Sequence, residues 1–246
     1  MKAPAGDQAA ASVLFEREYS PREAQILMSL LAVSEAFVDV GANLGYFSLL
    51  ALFRSSDRKP VIAIEPNPFL SELIGENLAL NGFRSGRTVC AAIGSAVCEC
   101  DLLIDKNQSS TARIGRGGKP RRSVASTRCR VLRLDDVFTT FRLDRALVKV
   151  DVEGAELDVL LGGRLALRSG SIFFTEVSRR TAPELCEMIS KYGYRALTDN
   201  GDFFEPKLRG GKVPNRTLIF VPASEAVSVS EVVRRNCDVA QRCDRP

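Results

Sequence analysis

Short, wholly apolar runs alternate along this chain with longer stretches in which apolar residues recur every three or four positions. The short runs have the pattern of strands buried on both faces, and the longer stretches that of helices lying over them. Residues 21–33 open the series as a helix. Ser20 stands at the N-cap, Pro21 at the first helical position and Glu23 three residues after the cap, and Ile26, Leu27, Leu30 and Leu31 make one apolar face. Strands are expected at 37–40, 61–64, 88–93, 146–151, 172–177, 194–197 and 216–221, with helices from Tyr46, from Pro68 to an Asn81-Gly82 stop, through Leu157, Leu160 and Leu161, and over 184–192. This rhythm predicts an α/β fold: a doubly wound, mostly parallel seven-stranded sheet of Rossmann-like type with one of the last two strands antiparallel.

Residues 97–134 interrupt the rhythm. Two extended segments, 97–104 and 124–134, flank a polar loop, and the reading is an inserted hairpin or flap. Residues 1–20 are expected to be a mobile tail, 21–222 a single domain, and 223–246 a polar C-terminal tail with a short helical stretch after Ser228 and Glu231.

The stretch 37–68 concentrates the chemistry. A buried strand, FVDV, runs into Gly41-Ala42-Asn43-Leu44-Gly45, and the next strand ends in Glu65, twenty residues after Gly45. Small residues let the backbone turn tightly and let a ligand approach the main chain. A carboxylate at the end of the second strand is placed to meet the ribose hydroxyls of an adenosine-type ligand lying across the first turn. A nicotinamide dinucleotide needs a middle glycine for its pyrophosphate, and that position holds Asn43. Asp39, just before the turn, suits a cationic amine or sulfonium better than phosphate.

Composition narrows the chemistry further. The 246 residues are 45% hydrophobic and 26% charged with a net charge of +4, an ordinary globular balance. No eighteen-residue apolar run is present for a membrane span, and the first residues lack the apolar core of a signal peptide, so a cytoplasmic protein with reduced thiols is expected. The seven cysteines read as buried filler, because a four-thiolate zinc site from Cys98, Cys100, Cys237 and Cys243 would need the tail to fold back. There is no histidine, which removes the commonest general base. From Asp105 to Arg133 there are nine Lys or Arg and one acid, read as a solvated basic loop or a lid for an anionic substrate. The stretch has no aromatic residue for stacking on single-stranded nucleic acid.

Several motifs together resemble the FkbM-type family of class I S-adenosylmethionine-dependent methyltransferases: DVGANLGYFS, IEPNP, CAAIG, RLDDVF and LVKVDVEGAELDVLLGG, in that order over about residues 37–178. The resemblance implies the class I methyltransferase fold, S-adenosylmethionine as cofactor, and methylation of a hydroxyl on a sugar or small natural product. It implies that Asp39, Gly41, Asn43 and Gly45 cradle the methionine end, with Ala42 and Tyr46 beside them. Glu65 would hold the ribose next to Pro66 and Asn67, and Ala92 and Ile93 would flank the adenine. Asp151, Glu153 and Glu156 would face the transfer site, with Asp151 also among the cofactor-binding residues.

A neutral hydroxyl must lose its proton as it attacks, so a base must lie within hydrogen-bond reach. Without histidine the candidates are Glu153, Asp151 and Glu176, with Glu153 the first choice because it follows the strand end. Tyr46 and Lys149 have ordinary pKa values far above neutrality. The same three acids could instead bind Mg²⁺, although their spacing is no dedicated metal motif. An RNA or protein methyltransferase docking through 105–133, and a non-catalytic cofactor-binding module, are the alternative readings.

Overall fold

The computed structural model describes residues 1–3, 20–105, 108–114, 124–152, 154–178, 180–205 and 216–243. In chain order the elements are α1 (Pro21–Ala32), β1 (Ala36–Val40), α2 (Tyr46–Arg54), β2 (Val61–Ile64), α3 (Pro68–Leu80), β3 (Gly86–Val89), β4 (Ala92–Ile93), β5 (Cys98–Asp105), β6 (Gln108–Ile114) and β7 (Val124–Leu132). They continue with α4 (Leu134–Phe141), β8 (Ala146–Val150), α5 (Glu156–Leu161), α6 (Arg164–Arg168), β9 (Ile172–Val177), α7 (Ala182–Ser190), β10 (Tyr194–Thr198), β11 (Phe203–Phe204), β12 (Arg216–Pro222) and α8 (Ala226–Cys243).

The main sheet has eight strands in the order β11-β10-β12-β9-β8-β1-β2-β3. From β3 to β9 every pairing is parallel, and β12 is antiparallel to both of its neighbours, β9 and β10. The α/β class therefore holds, with one strand more than the seven expected. The addition is the two-residue edge strand β11, too short to leave a pattern in the sequence.

Every residue of β1, β2 and β8 is buried, because helices cover both faces. On one face α1, α2, α3 and α8 pack through residues such as Leu27, Leu52, Ile74 and Val229 on Phe37, Leu147 and Phe174. On the other, α4 to α7 pack through residues such as Phe138, Leu160, Leu167 and Leu185 on Val38, Val148 and Phe173.

Four local expectations change. The expected strand 88–93 is broken after Val89: β3 stays in the main sheet, and β4 joins a separate four-stranded sheet ordered β4-β7-β5-β6. Residues 108–114, expected within a polar loop, form β6, paired antiparallel with β5. Leu134 begins a helix rather than ending a strand. Arg133 and Asp136 close a capping box there, in which the Asp136 carboxylate accepts the Arg133 N–H at 3.2 Å. The C-terminal stretch expected as a polar tail is an eighteen-residue helix, α8, which buries Ala226, Val229, Ser230 and Val233 along one stripe.

Ser20 does not cap α1 through its side chain. It adopts a left-handed backbone, and its carbonyl accepts the Ala24 N–H at 3.0 Å. Of the expected N-terminal tail, residues 4–19 lie outside the described residues, while the Lys2 carbonyl accepts a hydrogen bond from Asn77 Nδ2 at 3.0 Å. Among the described residues no helix is long and apolar enough to cross a membrane.

Candidate functional site

Strand order reverses between β1 and β8: the chain runs from β1 outward through β2 and β3, then returns to add β8 on the other side. In a doubly wound sheet the crevice at the carboxyl ends of such a strand pair is where ligands bind. Here those ends are Val40-Gly41 and Val150-Asp151, in register as Val40 against Val150.

The turn after β1 is built from left-handed residues: Gly41 at φ 80, Asn43 at φ 51 and Gly45 at φ 77. At Gly41 the conformation and the space both demand glycine, since a Cβ there would meet the Asp151 carbonyl oxygen at 2.0 Å. The N–H groups of Gly41 and Ala42 both donate to the Ile64 carbonyl, which ties the turn to the end of β2.

Glu65 completes that tie. Its carboxylate accepts the Asn43 N–H at 2.8 Å and the Asn67 N–H at 2.9 Å, and the residue is 4% exposed. Burial pushes its carboxyl up to about 7, against the lowering effect of the two N–H bonds. Asn67, itself buried, turns its side-chain oxygen to the Phe69 N–H as the N-cap of α3. Pro66 is half-buried between them.

Asp39 and Lys149 are direct neighbours across β1 and β8 and point to the face covered by α1 and α2. Asp39 is wholly enclosed. It accepts a hydrogen bond from the Ser48 hydroxyl at 2.7 Å, and the Lys149 ammonium lies 4.0 Å from its other oxygen. Lys149 Nζ also donates to Asp151 at 3.0 Å and sits 5.1 Å above the Phe47 ring. Burial works against the lysine's charge, but Asp151 and Asp39 outweigh it and raise its pKa. Burial raises the carboxyl of Asp39, with Lys149 and Ser48 opposing the shift.

Asp151 is the member of this group open to the outside, with its side chain 39% exposed. Glu156 is buried and folds back so that its carboxylate accepts the Gly154 N–H at 2.7 Å, closing the turn before α5. Glu176 is exposed at the end of β9, in register with Thr217 of β12. Glu153 lies outside the described residues. Tyr46 is half-buried as the first residue of α2, its ring edge-on to Phe47 at 5.2 Å. Ala92 and Ile93 are both buried on β4, in the second sheet and not on the rim of the main one.

The structure thus brings together Asp39, Gly41, Ala42, Asn43, Gly45, Glu65, Asn67 and Asp151 around the β1, β2 and β8 ends, and sets Glu176 one strand further out. Sequence reasoning weighed Lys149 only as a poor base and missed it as the cation joining two acids. The signal was available, because a lysine inside an otherwise apolar strand needs a buried partner. The filler reading of the cysteines also fails in part: Cys90 and Cys98 are exposed, while the side chains of Cys237 and Cys243 lie outside the described residues.

The residues present fit an S-adenosylmethionine-type ligand. Asn43 Oδ1 on the turn is buried without a hydrogen-bond partner, as is Thr175 Oγ1, whose residue lies beside Val150 in register. Carboxylates and amide oxygens are acceptors, matched to a ligand that offers an ammonium and ribose hydroxyls and mismatched to a pyrophosphate. Among the described residues no group of three Cys, Asp or Glu side chains converges as a metal site. Two of the described arginines from the basic stretch are already paired, Arg128 with Glu99 and Arg133 with Asp136.

Comparison with known proteins agrees with this geometry. The family model for the methyltransferase FkbM domain matches residues 39–196. Methyltransferase sdnD of Sordaria araneosa is 30% identical over a 155-residue alignment, with 51% of this chain and 59% of that protein covered. The chain thus spans about three-fifths of the length of this curated relative. The crystal structure of methyltransferase FkbM from Methylobacillus flagellatus KT shares the fold, with a TM-score of 0.50 and 19% identity over 76% of this chain and 43% of that one. The family match covers well over half of the sequence, and this chain is a member of the FkbM methyltransferase family.

Proposed function

We propose that the protein transfers the methyl group of S-adenosylmethionine to a hydroxyl oxygen of a sugar or other small molecule. The observation that carries this reading is Glu65, a carboxylate fixed at the switch point by two backbone N–H groups, with lone pairs left to accept ribose hydroxyls. When bound, the cofactor supplies an electrophilic methyl group on a sulfonium.

The chain's own work is positioning and proton handling. Asn43 Oδ1 accepts a hydrogen bond from the ligand, and Gly41, Ala42 and Gly45 shape the turn around it, beside Tyr46, Pro66 and Asn67. Asp151 takes the acceptor's proton as its oxygen attacks. What supports Asp151 is its partial exposure at the crevice together with the Lys149 bond that holds one of its oxygens and leaves the other open. Glu153 and Glu176 remain candidates for the same step. Holding acceptor and methyl group in line is where most of the rate enhancement arises.

Calorimetric titration tests the cofactor assignment. S-adenosylmethionine and S-adenosylhomocysteine are expected to bind and NAD to fail. Glu65→Ala should weaken binding by roughly 100-fold, the value of two hydrogen bonds at about 1.4 kcal/mol each. Unchanged affinity in that variant would sink the ribose assignment. Binding confirmed, a screen of hydroxylated acceptors with methyl-labelled cofactor follows, and Asp151→Asn should lower kcat while leaving cofactor affinity within about threefold.

A further inference from the structure

The second sheet and its approach from β3 carry four thiols, Cys90, Cys98, Cys100 and Cys129, none of them in a disulfide. Cys100 of β5 and Cys129 of β7 are directly opposed in the antiparallel register. Directly opposed residues in such a pair have Cα atoms about 4.5–5.5 Å apart. That falls inside the roughly 4.4–6.8 Å between Cα atoms that a disulfide spans. The Cys129 thiol donates a hydrogen bond to the Arg130 carbonyl at 3.2 Å. Cys98 is on the same face of β5 but stands opposite Val131, which leaves it diagonal to Cys129. Cys129 is 5% exposed and packs with Ala92, Leu102 and Val131, whereas Cys100 is half-buried at the edge of that cluster.

The geometry points to a modification site: Cys100 and Cys129 are a cross-strand dithiol that forms a reversible disulfide by exchange with a small oxidised disulfide such as oxidised glutathione. Exposure sets the order of events. The Cys100 thiolate attacks one sulfur of the oxidant, a new S–S bond forms to Cys100, and one glutathione leaves as its thiolate. Cys129 then gives its proton to solvent, attacks the Cys100 sulfur and expels the second glutathione. Two thiols of the protein lose two electrons and two protons, and one glutathione disulfide becomes two glutathiones. Burial pushes the Cys129 thiol up to about 11, so this second step quickens as pH rises above neutrality.

The test uses the full chain with Cys237→Ser and Cys243→Ser, treated with oxidised glutathione at about pH 8.5 to raise the thiolate fraction. The free-thiol count is expected to fall by two, with the loss of two hydrogens in the intact mass. A map after digestion with trypsin and a glutamyl endopeptidase, which cuts after Glu99 and so separates Cys98 from Cys100, should join the peptide holding Cys100 to the one holding Cys129. Cys90→Ser and Cys98→Ser should leave the two-thiol loss intact, while Cys100→Ser and Cys129→Ser abolish it. An unchanged thiol count, a bridge through Cys90 or Cys98, or a two-thiol loss that persists in Cys100→Ser overturns the assignment. The map on the parent chain stands whether or not a serine variant folds.

Discussion

The two sheets treat charge in opposite ways. The eight-stranded sheet takes Asp39, Lys149 and Glu65 into its interior, each under 10% exposed. The four-stranded sheet keeps its ion pair outside, with Arg128 and Glu99 78% and 62% exposed, and buries sulfur and aliphatic groups instead. Burying a charge is costly unless it is partnered, and removing one partner costs more than the pair is worth. The main sheet accepts that cost at β1, β2 and β8, whose ends surround the crevice. The smaller sheet carries no such expense, and its stability rests on a cluster of a few apolar side chains.

Substitutions can break or sharpen this contrast. Lys149→Met should have the largest effect, about 3–5 kcal/mol by urea denaturation, because it leaves Asp39 buried without a cation. A loss below about 1 kcal/mol would mean that the enclosed carboxyl is neutral and the pairing idle.

The second effect depends on pH. The folded-state pKa of Glu65 lies near 7 against an ordinary 4.5, so between these values the folded state binds more protons than the unfolded one. Stability should therefore fall as pH rises from about 4.5 to 7, by something on the order of 3 kcal/mol, and level off above. The raised carboxyl of Asp39 acts with the same sign, and no histidine titrates in the window. Glu65→Gln should flatten most of the slope; an equal slope in the variant would assign it to other groups.

Third, Leu102→Ala in the small sheet should cost about 2–3 kcal/mol. Amide exchange should quicken in β5 and β7 and stay unchanged in β1 and β8, since Leu102 packs in the small cluster alone. Exchange that quickens in both sheets would merge them into one cooperative unit. Smallest is Arg128→Gln, expected below about 1 kcal/mol because the pair with Glu99 is solvated. A larger loss would show the outer ion pair working as the inner ones do.

The same contrast explains what was legible in the sequence. Strands such as β2 and β9 are apolar throughout because both faces are covered, and they stand out at once. The glycine turn was legible because its backbone geometry restricts residue type, and Glu65 because a lone acid there ends an apolar strand. The break after Val89 was not, because an apolar run carries no mark of which sheet its second half joins. Helix α8 was legible only as a short helical stretch because its buried positions, Ala226, Val229, Ser230 and Val233, include a serine while the apolar Val227 is exposed. Lys149 was visible as a residue but not as a partner, since register across β1 and β8 appears only in the fold.

The position of β12 has a consequence for synthesis. This strand enters between β9 and β10, so the aromatic edge that includes Phe173 and Phe174 finds its partner only when residues 216–222 have left the ribosome. Translation at about 5–20 residues per second leaves that edge unpaired for roughly 2–9 s after β9 is made. During this interval a nascent chain exposes a strand able to pair with a neighbouring chain on the same polysome. Slowing elongation between the two strands should raise the insoluble fraction on expression, and a co-translational chaperone should lower it.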